Sequence, residues 1–336
     1  MATIKDVAAL ANVSVATVSR VINNSSKVSP EAKAAVIKAQ QELNYHPNVT
    51  ARTIAHQTSE SIGLVIADIS DPYFGAMARS VEEEAEKNKL TLFINNGFHT
   101  ASLEKKCLDE LIRHRCKYII AHTLNIDDET MNEYMENYPG MILINRLLPN
   151  YPDRCVYTDD TNGAYLAVKH LIANGHRNIA YIKSNHRIPD AENRFQGYRK
   201  ALEEAKLPFN PSLVVEQEPT AQGGEDGAQT LLNSSQPFTA IATYNDMQAA
   251  GAMAILIDND IKIPDNISII GYDNMFISRY LQPRMTTILN PVKTMAATAV
   301  KLALASVAGQ NLGEYAHMFT PTLIKRFSVK DLNNIN

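Results

Sequence analysis

At 336 residues, with 45% hydrophobic and 20% charged side chains, the chain is too long for one ordinary core and is neither fibrous nor disordered, so a small domain beside a large one is expected. No apolar run approaches the roughly 18 residues of a membrane span. Charges at Lys5 and Asp6 stand where a secretory signal would be apolar, and Cys107, Cys116 and Cys155 lack any CxxC spacing, which predicts a cytoplasmic protein with no disulfide frame, zinc site or membrane partner. The net charge of −4 is unevenly spread: residues 1–60 carry six Lys and Arg against four Asp and Glu, leaving a positive head and an acidic remainder, the balance expected of a nucleic-acid reader with a regulatory body.

Ile4, Val7, Ala8 and Ala11 repeat at helical spacing behind Thr3, a predicted N-cap with Asp6 three residues on. After Asn12–Val13 a second helix is predicted from Ser14, burying Val18, Val21 and Ile22 and turning Val15, Ala16, Thr17, Ser19 and Arg20 outward. Two short helices on a tight turn form a helix-turn-helix, whose second helix enters the major groove. Thr17, Ser19 and Arg20 suit phosphates or base edges, and Val15 and Ala16 suit thymine methyls. A third helix is predicted from Ser29–Pro30 through Ala34, Ile37 and Leu43, closing an all-α head. Residues 48–58 are too short to hold a helix unaided, so they form either a linker or a hinge that folds on a partner.

Beyond residue 60, apolar runs alternate with helical patterns: Ile62–Ala67, Thr91–Asn95, Tyr118–Ala121, Met141–Asn145, Ile179–Lys183, Ala240–Thr243, Ser268–Gly271 and Thr286–Leu289. Short strands separated by helices imply parallel sheets covered on both faces, with ligands bound beyond the strands' carboxyl ends. Asp68, the run Ser70–Phe74, Asn145–Arg146, Asn245–Asp246, Asp273 and Asn290 fall there. Amides, carboxylates, a guanidinium and ring faces suit a polyhydroxylated ligand.

The stretches Thr3–Ala8, Val15–Asn23 and Asn44–Asn48 resemble the headpiece of the lactose/galactose repressor family. The resemblance continues through Ser70–Met77, Leu111–Cys116, Leu143–Arg146 and Ser278–Tyr280. It implies a helix-turn-helix head joined to a two-lobed, periplasmic-binding-protein-like α/β body with parallel sheets, divided as head 1–47, hinge helix 48–58 and effector-binding and dimerisation domain 59–336. Lobe one would comprise about 60–160 plus 291–320, and lobe two about 161–290 plus 321–330. It further implies a homodimer on a pseudo-palindromic operator, released by a monosaccharide inducer, with D-galactose the expected sugar. The DNA-contacting set becomes Thr3, Val15, Ala16, Thr17, Ser19, Arg20, Asn23 and Ile54, where Ile54 stands in for the family's minor-groove leucine as a stiffer wedge. Effector contacts fall on Asn145, Arg194, Asn245, Asp273 and Asn290, with Tyr73 and Phe74 lining the cleft. The segment 216–222 offers no aromatic ring to stack on a sugar, a departure from some relatives.

An enzyme finds little support. Asp159–Asp160, as neighbours in an extended segment, would point to opposite sides. Gly223–Gly227 lacks the Lys–Ser/Thr of a phosphate loop and suggests a loop opening a helix. The histidines show no metal spacing, and no cofactor is expected. The rival readings are a regulator of the same build answering another sugar, a sugar phosphate or a purine, and a periplasmic sugar-binding module.

Overall fold

The structure, a computed structural model, describes residues 2–22, 27–43, 45 and 59–333, and the chain divides into two compact units, Met1–Ser59 and Glu60–Asn336.

In the first unit, α1 (Ile4–Leu10) opens on a capping box: the Thr3 backbone N–H and hydroxyl donate to the Asp6 carboxylate at 2.7 and 2.8 Å, and the Asp6 N–H returns to the Thr3 hydroxyl. The Ser14 hydroxyl accepts from the Thr17 N–H at 3.1 Å at the start of α2 (Val15–Ile22), and Ser29 caps α3 (Pro30–Glu42) in the same way. Val7, Ala8, Val18, Val21, Val36 and Ala39 form the small core. The third helix is rotated from its predicted register: Ala34 and Ile37 are exposed, and Val36 and Ala39 are buried with Leu43 packed beside them. Ala34, Ala35, Val36 and Ile37 give this helix an apolar residue on every face, so its periodicity did not choose one.

The second unit holds two six-stranded sheets. The first lobe runs β1 (Ser59–Ile66), α4 (Pro72–Lys87), β2 (Thr91–Asn96), α5 (Ala101–Arg113), β3 (Cys116–Ala121), α6 (Asp128–Asn137), β4 (Met141–Ile144) and β5 (Cys155–Thr158). The second runs α7 (Asp160–Ala173), β6 (Ile179–Ser184), α8 (Pro189–Glu204), β7 (Val214–Gln217), α9 (Ala221–Asn233), β8 (Ala240–Thr243), α10 (Asp246–Asp258), β9 (Ser268–Asp273) and β10 (Thr286–Leu289). The chain then returns to the first lobe with α11 (Val292–Val307) and β11 (Met318–Phe319), and crosses back with β12 (Thr322–Ile324). Strand orders are β11-β5-β4-β3-β1-β2 and β12-β10-β9-β8-β6-β7, and β12 runs antiparallel to β10. The inner strands of both sheets are buried between helical layers, each lobe with its own apolar clusters, as expected for right-handed strand–helix–strand crossovers.

The eight predicted strands are present within two residues at most ends, but β5, β7, β11 and β12 were not anticipated. β11 and β12, of three residues or fewer, are too short for a pattern to separate from a loop; β7 is a partly exposed edge strand, and β5, between β11 and β4, is as long as the predicted β4. Gly223–Gly227 lies inside α9 and not in a loop before it. A Cβ on Gly224 would meet the Gln248 carbonyl oxygen at 2.0 Å, and one on Gly251 the Ala221 carbonyl oxygen at 1.8 Å, so these glycines bring α9 and α10 into backbone contact. Asp159 caps α7 and Asp160 is its first residue, so the pair is not in an extended strand.

Candidate functional site

The carboxyl ends of the two sheets face one polar cleft of about 400 Å³, part of it open to solvent. Predicted residues Tyr73, Phe74, Asn145, Arg194, Asn245 and Asp273 line it. The seventh, Asn290, is buried and donates to Asp273 Oδ1 at 3.1 Å.

Each side chain is delivered by a local device. Asp71 caps α4 by accepting from the Tyr73 N–H at 2.8 Å, so the helix begins by turning Tyr73 and Phe74 into the cleft. Asn145 follows β4 with φ +59° and Asp273 ends β9 with φ +95°. Left-handed backbone at non-glycine residues costs about 1–3 kcal/mol each and persists where the surroundings enforce it. Below Asp273, the fully buried Asp246 carboxylate accepts from the Thr287 hydroxyl and the Met275 N–H at 2.6 Å each, pinning the loop after β9. Burial pushes the Asp246 carboxyl well above the usual range.

Arg194 is the centre of the second lobe's contribution. It is 3% exposed and donates Nε to Asp160 Oδ1 at 2.8 Å, Nη1 to the Tyr244 carbonyl at 2.8 Å and Nη2 to Asp273 Oδ1 at 3.3 Å. Its plane lies 3.8 Å from the Tyr272 ring centroid and 4.5 Å from that of Tyr244. The Tyr272 hydroxyl completes the group by donating to Asp160 at 3.1 Å. Burial raises the Asp273 carboxyl to about 6 against the lowering pull of Arg194, and it raises Asp160 as well. The guanidinium is therefore already committed to two carboxylates, and among the described lining residues it is the only Lys or Arg.

The remaining predicted residues differ in what they leave available. Asn145 donates to the Tyr73 hydroxyl at 2.7 Å, but its Oδ1 is shut from solvent without a partner among the described residues, as is Asn290 Oδ1. Both polar atoms of Asn245 are instead occupied by backbone: its Oδ1 accepts from the Gln248 N–H and its Nδ2 donates to the Pro219 carbonyl, each at 2.8 Å. Of the other strand-end residues singled out, Arg146 bonds Thr123 and Asp128.

Sequence reasoning missed His99, His122, His186, Asp190 and Tyr244, which line the cleft together with Asp71 of the predicted run Ser70–Phe74. His122 and Tyr244 immediately follow β3 and β8, and His99 and His186 lie within three residues of the ends of β2 and β6. The strand-end rule therefore reached them, but it was applied to amides, acids and arginine and not to imidazoles. Among the described residues no group of His, Cys, Asp and Glu could hold a metal ion.

In the head, Val15, Ala16 and Arg20 are exposed, and Thr17 and Ser19 are half-buried on the same helix. The Thr17 hydroxyl shares a 2.9 Å hydrogen bond with Ser14, and the Thr3 hydroxyl is held by Asp6. Asn23 and Ile54 lie outside the described residues.

A helix-turn-helix unit and a two-lobed α/β body with a polar cleft define a ligand-responsive regulator of transcription. Comparison with known proteins agrees: residues 3–48 match the family described as "Bacterial regulatory proteins, lacI family", and residues 168–329 match a periplasmic binding protein-like domain. The chain is 50% identical to the HTH-type transcriptional regulator GalR of Escherichia coli K12, over 98% of this chain and 96% of that one. It is 34% identical to the regulator DegA of Bacillus subtilis, over 98% and 99%. The solved lac repressor dimer bound to operator and the anti-inducer ONPF superposes with a TM-score of 0.83 at 25% identity, covering 98% of this chain and 99% of that one. The chain belongs to the lacI family of bacterial regulatory proteins. Its named relatives are transcriptional regulators, and among the described residues no helix is long and apolar enough to cross a membrane.

Proposed function

We propose that the protein is a cytoplasmic, sugar-responsive repressor that binds a pseudo-palindromic operator as a homodimer and is released by a neutral monosaccharide, D-galactose. The observation that carries the ligand class is electrostatic. The cleft's single guanidinium is neutralised by Asp160 and Asp273, with Asp71 and Asp190 beside it, so an anionic ligand finds no convergent cations. Carbonyl oxygens of Asn145 and Asn290 with no partner among the described residues instead call for hydroxyl donors. A sugar phosphate is disfavoured by the same charges. Identity of 50% to a relative named GalR supports galactose over another hexose or a purine.

In this reading the all-α head spans 1–47, the hinge helix 48–58 and the effector and dimerisation domain 59–336. Lobe one takes about 60–160 plus 291–320, and lobe two about 161–290 plus 321–330. Val15, Ala16, Thr17, Ser19, Arg20, Thr3 and Asn23 contact the major groove and its phosphates, and Ile54 wedges the minor groove. Tyr73, Phe74, Asn145, Arg194, Asp273 and Asn290 contact sugar. Asn245 sits at the cleft wall, where its hydrogen bonds to backbone give it a shaping role. Phe93 and Ile94 on the edge strand β2, with Phe98 and Leu103 nearby, are exposed apolar residues of the kind a dimer covers. Two heads must occupy half-sites at fixed spacing, so a sugar that favours one relation of the lobes disfavours operator binding.

Fluorescence anisotropy of a labelled operator, titrated with D-galactose, D-glucose, D-ribose and a purine, tests this. Release by galactose alone or most effectively is expected. Release by the purine, or by none of them, refutes it.

A further inference from the structure

Five rings run from one lobe to the other without a break: Tyr73 and Phe74 (5.3 Å between centroids), Phe74 and His122 (4.9 Å), His122 and His99 (5.7 Å), His99 and His186 (5.0 Å). The first four belong to the lobe of β1–β5, and His186 follows β6 in the other. Each of the three histidines has an Nδ1 shut from solvent with no hydrogen-bond partner among the described residues. Leaving one buried polar atom unpaired is costly, and three along one wall call for a partner.

Their hydrogen-bonding senses differ in a useful way. His186 Nε2 lies 2.9 Å from the Glu218 carboxylate, which can only accept, so the neutral ring carries its proton on Nε2 and Nδ1 is an acceptor. His122 Nε2 lies 3.4 Å from the Asn145 amide nitrogen, which can only donate, so Nδ1 carries the proton and is a donor. A donor at one end of the row and an acceptor at the other match hydroxyl groups, each of which gives one hydrogen bond and takes others. Burial lowers His99 to about 4 and His122 to about 3, which keeps both rings uncharged at neutral pH.

We propose that His99, His122 and His186 are effector-contacting residues whose ring nitrogens read the hydroxyls of an uncharged hexose. The inference rests on the sugar reading of the cleft and names the residues that select the ligand.

Calorimetric titration of D-galactose into the full chain and into His122→Phe, His99→Gln and His186→Gln tests it. His122→Phe keeps a ring and removes both nitrogens, and a roughly 5- to 100-fold weaker affinity is expected for one lost buried hydrogen bond. The glutamine variants, which retain donors and acceptors, should lose less, and their sugar-free operator affinity reports that the fold is intact. Should His122→Phe fail to fold, the other two decide, because both positions are partly exposed. Galactose affinity equal to that of the unaltered chain in all folded variants overturns this proposal and leaves the sugar reading standing. An unaltered chain that binds no hexose overturns both.

Discussion

Replacing Arg194 by methionine fills similar volume and removes the charge between Asp160 and Asp273. Removing one partner of a buried ion pair costs about 3–5 kcal/mol, because the other charge is left uncompensated. Here a ceiling exists, since a stranded carboxyl can take up a proton. For Asp273 at pH 7, with an unfolded value of 3.8, full protonation costs about 4.4 kcal/mol at about 1.36 kcal/mol per unit. The unaltered protein already bears about 3 kcal/mol of this, because the folded carboxyl titrates at about 6. The Asp273 share of the variant's deficit is therefore about 1.4 kcal/mol at pH 7, with the Asp160 share adding to it. A carboxyl whose folded value is raised destabilises the native state by a constant amount above that value, and the penalty shrinks as pH falls through it, to vanish only below the unfolded value of 3.8. By pH 5 Asp273 is protonated in both proteins, and its share of the deficit vanishes. Urea unfolding of the body at pH 7 and pH 5 should show the Arg194→Met deficit shrinking by about 1 kcal/mol or more on acidification. A deficit that stays constant, or grows, would refute the coupling described for this cluster.

Arg20→Ala should weaken operator binding about uniformly across sequences and reduce the salt slope by about one, if the guanidinium contacts a phosphate. Its galactose affinity, measured by calorimetry, should not move, and a loss of both would contradict a role for Arg20 in operator binding alone. His122 has a folded value below its unfolded one, so the native state loses stability as pH falls from about 6.5 toward 3. His122→Gln should therefore be less acid-labile than the unaltered chain between pH 7 and 5 by on the order of 2 kcal/mol, read from paired urea titrations, and an unchanged pH response would contradict the burial of that ring. Gly251→Ala forces α10 away from the Ala221 carbonyl and should cost about 1–3 kcal/mol or more. A melting temperature unchanged from that of the unaltered chain would show that the helices have room to part.

Much of the architecture was legible because period and composition agreed. Runs such as Met141–Ile144 and Ala240–Thr243 are wholly buried, and a strand buried on both faces must be apolar throughout. The capping box at Thr3 and Asp6 was legible because capping is local chemistry. The register of α3 was not, since its alanines fit any face and only tertiary packing selects Val36 and Ala39. At the site, Arg194 was found through resemblance, and nothing in its local sequence announces that two carboxylates from α7 and β9 converge on it. Asp160 was set aside as half of an adjacent pair, although the start of α7 at that residue buries it under Arg194 and Tyr272. Asn245 shows the opposite ambiguity. A polar residue after a strand is a helix cap as readily as a ligand contact, and here its side chain is spent on backbone.

Linkage between the two ligands tests the central claim most directly. If sugar and operator select different states of one hinged protein, each must weaken the other by the same factor, about 5- to 150-fold for a coupling of about 1–3 kcal/mol. Calorimetry of D-galactose with the free protein and with the operator-saturated protein should give a lower affinity in the second case, matched by the loss of operator affinity at saturating sugar. Equal galactose affinities in the two titrations would contradict the account.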